Sequence, residues 1–316
     1  MPTQRSHPFE RPQCHYDRVP SHLFHRSIGL AVLLLAVAGS CSGDSNPASG
    51  PGTSPTVSLA VAERGDEVRD FGVWPTDPAL LSGDDPAVWA IEVVGLMPHD
   101  PDSYTQGLEL AGDVFVESRG RYSESEIRLV DPASGEVTAS AALDSGQFGE
   151  GATVVGSTII QLTWREEVAL VWSLEDLTLL DQHNYIGEGW GLCAESDRLV
   201  MSDGSSTLTF RDPVDFRLID TIEVTQRGAP VFGLNELECV DGFVLANIFQ
   251  SDIIVVIEPG SGFVVASIDA SRLNLVIDRP IDEGAVLNGI AHWSDDSFVL
   301  GGKWWPEMAE VRLVDQ

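Results

Sequence analysis

Lysine is almost absent from this chain. Of 18 basic residues only Lys303 is a lysine, and 49 acidic residues leave a formal charge of −31. A surface so poor in positive charge repels phosphate backbones and anionic headgroups, which excludes nucleic acid as a partner. Cysteine is also scarce: Cys14, Cys41, Cys193 and Cys239 are too few for a disulfide scaffold and lack metal-ligand spacing. Long apolar runs are missing but for one, and no stretch has a convincing amphipathic helical period. Turn formers are plentiful, with 30 Gly and 18 Pro in 316 residues, and 43% hydrophobic content suffices for a large core. The balance points to β structure.

The single apolar run, residues 29–40, is too short to span a bilayer as a stable helix. Arg26 precedes it, and Ala38, Gly39 and Ser40 lead into Cys41, the layout of a secretory signal peptide. Small residues before a cysteine resemble a bacterial lipobox, so Cys41 is the expected lipidation site; Ala38 is a weaker occupant than Leu, which keeps plain secretion as the alternative. Residues 1–40 are thus read as the signal and 41–56, rich in Ser, Gly and Pro, as a flexible tether. The acidic, Pro/Gly-punctuated segment 57–86 is left unassigned, and 87–316 is expected to form the folded domain. The expected location is the cell envelope, as a lipoprotein, or the exterior.

Internal repeats decide the architecture. From about residue 88 short β-rich runs alternate with turns, and a three-residue register recurs. Its copies are Gln106-Gly107-Leu108, Glu150-Gly151-Ala152, Trp190-Gly191-Leu192, Asn235-Glu236-Leu237 and Asn288-Gly289-Ile290. A spacing of 40–53 residues with four short strands per unit predicts an all-β, five-bladed β-propeller. The chain stops after a third strand of the last blade, so Val88–Val94 is expected to supply the outer strand and hide its edge. A β-sandwich would not explain five matched registers.

The first register residues, Gln106, Glu150, Trp190, Asn235 and Asn288, are expected to surround one channel mouth. A second column follows 13–15 residues later: Trp164, Asp203, Phe249 and Lys303. A wet channel lined by polar side chains would account for the Asn and Gln. It accounts poorly for two Trp, one Phe and the only Lys converging on one end.

At these residues the sequence resembles the plant and bacterial type of glutaminyl-peptide cyclotransferase. The resemblance runs from Pro98-His99-Asp100-Pro101 to Trp305-Pro306. It includes Tyr104-Thr105-Gln106-Gly107-Leu108, Phe148-Gly149-Glu150-Gly151, Gln161-Leu162-Thr163-Trp164, Gly187-Glu188-Gly189-Trp190, Leu234-Asn235-Glu236, Leu287-Asn288-Gly289 and Gly302-Lys303. It implies a five-bladed propeller that cyclises N-terminal glutamine of peptides to pyroglutamate and releases ammonia. It further implies Glu150 as the catalytic acid/base, with Tyr104, Gln106, Phe148, Trp164, Trp190, Asn235, Phe249 and Lys303 around the substrate. Tyr104 stands where the family usually has Phe, and Phe249 where Trp is expected.

Chemistry makes these types reasonable. A free α-amine has a pKa of ~7.7–8.0, so a carboxylate beside it can take its proton and return one to departing ammonia. Asn235, Gln106 and the Trp indole N–H groups are suited to polarising the amide oxygen, and the aromatic side chains to holding the substrate folded. Lys303 is read as orienting a carboxylate or carbonyl. Asp203-Gly204 is read as a hairpin turn. No cofactor and no metal are expected, since His99, His183 and His292 form no cluster with acidic residues. Glu109, Glu236 and Glu238 are the alternative, as ligands of an ion in the channel. Pairing of Cys193 with Cys239 stays open. The expected state is a monomer that takes peptides with N-terminal Gln. The competing function is a non-catalytic cell-surface propeller that binds peptides or glycans.

Overall fold

A computed structural model describes residues 83–294 and 296–316. The apolar run, Cys41, the tether and all but the last four residues of 57–86 lie outside the described residues. The chain enters through a long strand, β1 (Ala87–Pro98), and then forms three four-stranded antiparallel sheets in succession. The first blade is β2 (Thr105–Ala111), β3 (Val114–Arg119), β4 (Glu126–Val130) and β5 (Val137–Ala142). The second is β6 (Gly149–Val155), β7 (Thr158–Thr163), β8 (Val168–Ser173) and β9 (Leu179–Asn184). The third is β10 (Leu192–Ala194), β11 (Leu199–Met201), β12 (Thr207–Arg211) and β13 (Leu218–Glu223). After a small hairpin, β14 (Thr225–Gln226) and β15 (Ala229–Pro230), comes the fourth blade: β16 (Leu234–Val240), β17 (Phe243–Ile248), β18 (Ile253–Glu258) and β19 (Phe263–Asp269). The last blade holds β20 (Leu287–Ser294), β21 (Ser297–Gly302) and β22 (Glu307–Asp315).

Closure follows from β1. It pairs antiparallel with β22 from Trp89 opposite Asp315 to Pro98 opposite Glu307, which makes it the outer strand of the fifth blade. Its first residues, Ala87–Ala90, also pair in parallel with β19, so one strand covers the outer edges of two blades. Its alternation explains the fit: Trp89 and Ile91 are buried, and Glu92 between Ile91 and Val93 is exposed. The inner strands β2, β6, β10, β16 and β20 touch in that order, and β20 returns to β2. That ring is the five-bladed propeller expected from the register.

Burial grades outward. The start of β2 and of β6 is wholly buried, whereas β9 and β13 at the rim are mostly exposed. Crowding at the axis explains the middle residue of the register. A Cβ on Gly107 would lie 2.6 Å from the Ala152 nitrogen, one on Gly151 2.6 Å from the Leu192 nitrogen, and one on Gly191 2.0 Å from the Asn235 oxygen. Each glycine therefore lets the next blade approach. In the fourth blade the same position is Glu236, and its carboxylate reaches across to accept the Leu108 N–H at 3.3 Å and the Ile290 N–H at 2.9 Å. Inner strands of three blades are thus stapled by one side chain.

Cys193 on β10 and Cys239 on β16 form a disulfide with Cα atoms 5.4 Å apart, which joins the third and fourth blades. The pairing that spacing left open is resolved by the two strands lying side by side.

Replacing Gly151 with Ala should destabilise the protein by about 1–3 kcal/mol or more, because the neighbours of the new methyl are backbone atoms that cannot yield. Gly146→Ala, where nothing lies within 4 Å, is the control. Urea unfolding of the two variants checks this; equal midpoints would contradict the close-approach account.

Candidate active site

The first-column side chains reach the mouth because the inner strands are irregular where they start. Pairing between β2 and β3 skips Gln106, between β6 and β7 it skips Glu150 and Gly151, between β16 and β17 Asn235 and Glu236, and between β20 and β21 Asn288 and Gly289. Such bulges release a residue from the ladder and re-aim it. Trp190 lies two residues ahead of β10, and Trp164, Phe249 and Lys303 directly follow β7, β17 and β21. In an antiparallel pair the start of one strand meets the end of the next, so both columns share one end.

Glu150 and Lys303 form the charged centre, 4% and 2% exposed. Burial pushes the Glu150 carboxyl well above the ordinary carboxylate value, and the anions Glu188 and Glu166 push the same way. Lys303 and a hydrogen bond from Gln106 oppose this without cancelling it. Burial pulls the Lys303 ammonium down to about 8 although Glu150 favours its charge. Gln106 is fixed from behind, since Asn288 Nδ2 donates to its Oε1 at 3.1 Å and to the Thr105 carbonyl at 3.0 Å. The backbone of Glu150 is tied down as well: Ser118 Oγ donates to its carbonyl.

Aromatic rings surround this pair. Phe148 meets Tyr104 at 6.2 Å, Tyr122 at 5.3 Å and Trp164 at 5.5 Å between centroids. Trp190 meets Phe249 edge-on at 5.3 Å, and Tyr104 meets Trp304 at 4.7 Å. The Lys303 ammonium lies 4.6 Å from the Tyr104 ring centre and 5.6 Å from that of Phe249, which closes the circle. Of the residues expected at the site, Tyr104, Gln106, Phe148, Glu150, Trp164, Trp190, Phe249 and Lys303 are connected through these contacts. Asn235 joins them through its backbone, whose carbonyl accepts from Ser202 Oγ at 2.7 Å while that hydroxyl also receives the Gly191 N–H.

Some expected roles change. The indole N–H groups of Trp164 and Trp190 both donate to Glu188 Oε2, at 2.8 and 3.1 Å, so they are not aimed at an amide oxygen. Gln106 is likewise engaged between Asn288 and Glu150. Glu109 accepts from Thr153 Oγ1 and the Val154 N–H, and Glu236 from the two backbone groups above, so these carboxylates act as staples. Among the described residues no group of three His, Cys, Asp or Glu side chains is placed to hold a metal. Asp203 caps its own turn, accepting from Ser205, as expected. Sequence reasoning missed Tyr122, Glu166 and Trp304. Glu188 stands in the Gly187-Glu188-Gly189-Trp190 motif, two positions before Trp190. A groove of about 630 Å³ lined by Leu96, Met97, Leu110 and Trp293 shares none of these residues.

Behind Tyr104 and Gln106 lies a buried ionic cluster. Glu117 Oε1 accepts from Ser103 Oγ at 2.6 Å and Thr105 Oγ1 at 2.8 Å and lies 3.0 Å from His99 Nε2; Arg128 approaches its other oxygen at 3.6 Å. His99 Nδ1 bonds the Trp305 carbonyl at 2.6 Å, and the Trp304 N–H bonds the Ser103 carbonyl. The segments carrying Gln106 and Lys303 are therefore fastened to one carboxylate. Burial alone would raise the Glu117 carboxyl, but His99, Arg128 and Ser103 outweigh it and hold it at about 2. Burial likewise works against charge on His99, yet Glu117, the Trp305 carbonyl and Asp100 raise its pKa.

Signs follow for stability. A depressed Glu117 contributes stability that is complete above its unfolded pKa of ~4.3 and is lost as pH falls towards about 2. The raised His99 contributes below an unfolded pKa of ~6.5 and is lost as pH rises through its folded value. Glu117→Gln, which leaves buried cations short of a partner, should cost about 3–5 kcal/mol at neutral pH and flatten the acid limb. Denaturant unfolding from pH 2 to 8 measures both; an unchanged acid limb would contradict the assignment.

Known proteins share this sequence and fold. The family model described as glutamine cyclotransferase matches residues 71–313. Over 228 residues the chain is 38% identical to a curated glutaminyl-peptide cyclotransferase of Arabidopsis thaliana, covering 71% of each chain. The crystal structure of Myxococcus xanthus glutaminyl cyclase matches with a TM-score of 0.70 at 35% identity, covering 73% of this chain and 100% of that one.

Proposed function

We propose that this protein, which belongs to the glutamine cyclotransferase family, cyclises N-terminal glutamine of peptides by passing one proton through Glu150. The observation that carries the mechanism is a carboxyl buried beside Lys303 and raised well above its ordinary value, which brings it nearer the substrate amine. The α-amine attacks the γ-carboxamide carbon of the same residue, and its proton passes to Glu150. The tetrahedral intermediate collapses, the bond from carbon to the amide nitrogen breaks, and Glu150 returns the proton so that ammonia leaves. With Gln106 and both indole N–H groups engaged by the protein, Asn235 and Lys303 are the donors we assign to the oxygen that gains charge. Gln106 becomes a positioning residue that orients Glu150. Tyr104, Phe148, Trp164, Trp190 and Phe249 hold the small side chain folded, which lowers the entropy of ring closure.

We read the chemistry as metal-independent on the character of the donors. The mouth presents amides, indoles and one carboxylate–ammonium pair, while His99 is bonded to Glu117, His183 is stacked on Phe216 and His292 lies beside Phe298. Export also belongs to this reading. The apolar run 29–40, the small residues before Cys41 and the Cys193–Cys239 bridge together support an oxidising compartment, with 1–40 removed and Cys41 as the candidate lipid anchor.

Glu150→Gln should keep the melting curve and lower turnover by ~10²–10⁴-fold on Gln-initiated peptides, as removal of a general acid–base does. Trp164→Ala should instead raise KM with the shuttle intact. Near wild-type turnover in folded Glu150→Gln would refute the shuttle.

A second expectation concerns alkaline pH. Lys303 loses its charge through about 8, so kcat/KM should fall above that value. Lys303→Met should lack this limb and turn over slowly throughout. A wild-type profile still rising at pH 9 would remove Lys303 from the mechanism.

A further inference from the structure

We propose that Glu188 is a positioning residue whose single carboxylate locks Trp164 and Trp190 as walls of the mouth and adds negative charge opposite Glu150. It lies between β9 and β10, outside any strand, where no ladder dictates its side-chain direction. Its Oε2 accepts both indole N–H groups, at 2.8 Å from Trp164 and 3.1 Å from Trp190. Its Oε1 accepts from Arg165 Nε at 3.0 Å, and the Arg165 guanidinium lies 3.6 Å over the Trp164 ring.

The Arg165 pair by itself means little, since Arg165 and Glu188 side chains are 58% and 37% exposed and such pairs contribute little. The two indoles make the difference. An indole N–H can only donate, and a half-buried one needs an acceptor; one ionised oxygen here serves two. Trp164 lies within the second blade and Trp190 leads into the third, and each touches a further wall residue, Trp164 on Phe148 and Trp190 on Phe249. The clamp thus spans the wall from Phe148 to Phe249. With both indole edges engaged, the substrate meets the rings by their faces.

The charge has its own consequence. Glu150 is faced by the cation Lys303, the anions Glu188 and Glu166, and the phenols of Tyr122 and Tyr185. Burial favours a neutral Glu188, but hydrogen bonds from Trp190, Trp164 and Arg165 and the charge of Arg165 overcome it and lower its pKa. Glu188 therefore stays ionised while Glu150 titrates, and it discourages the Glu150 anion.

The kinetic part of this inference rests on the cyclisation reading; the clamp does not. Two substitutions separate the roles. Glu188→Ala removes acceptor and charge, whereas Glu188→Gln keeps an amide oxygen for the indoles and removes the charge. Near-UV circular dichroism should show altered tryptophan bands in Glu188→Ala and nearly wild-type bands in Glu188→Gln. On Gln-initiated peptides Glu188→Ala should raise KM about tenfold, with kcat affected less. Glu188→Gln should move the acid limb of kcat/KM to lower pH, since Glu150 loses a neighbouring anion. Glu188→Asp, one methylene shorter, repeats the clamp test if the Ala variant unfolds, and altered bands are again expected. Wild-type bands in the folded Ala or Asp variant would overturn the clamp whether or not the wild-type protein cyclises peptides. An unmoved acid limb in Glu188→Gln would overturn the electrostatic role.

Discussion

Everything at the mouth depends on how closely neighbouring inner strands approach at Gly107, Gly151 and Gly191. Without a Cβ at these positions, the backbone of one blade comes within contact of the next. Polar backbone groups then meet at the axis and have to be satisfied there. Gly151 N–H donates to the Trp190 carbonyl at 2.7 Å, and Glu236 serves Leu108 and Ile290. Gly151 and Glu236, which bond between blades, are skipped by the ladder within their own blade. The resulting irregularities are where Gln106, Glu150, Asn235 and Asn288 turn towards the channel. Packing at the axis and aim at the mouth are one constraint.

The same crowding produces the electrostatics. A carboxylate and an ammonium buried within an aromatic ring lose hydration, and both shift towards their neutral forms. The Glu117–His99–Arg128 cluster plays the opposite part. Its members are paired with one another, which favours their charged forms against burial, and they hold the backbone of Ser103–Gln106 and the 303–306 turn in place. One buried ionic group anchors, and the other is kept poised.

Much of this was legible in the sequence because the register repeats and its middle glycine is physically required. The closing strand was legible from Val88–Val94, which had no other edge to cover. Both site columns could be placed at one end, since antiparallel hairpins force the start of β6 and the end of β7 together. Hydrogen-bond partners between blades were not legible. Glu117 and His99 are 18 residues apart and His99 and Trp305 are 206 apart, with no periodicity linking them. The engagement of the two indoles by Glu188 depends on the path of an irregular loop. For the same reason Gln106 was read as a donor to substrate, when its partners are Asn288 and Glu150. The Cys193–Cys239 pairing depended on side-chain direction on two short strands.

The central claim is that burial, more than any one neighbour, raises the Glu150 carboxyl well above its ordinary value and so favours proton exchange with the substrate amine. Carbon-13 NMR titration of carboxyl-labelled glutamate tests it directly, with Glu150 assigned from the resonance missing in Glu150→Gln. The account predicts a carboxyl that titrates well above the ordinary ~4.3 of glutamate. A Glu150 resonance that titrates near 4 in the folded protein would contradict it.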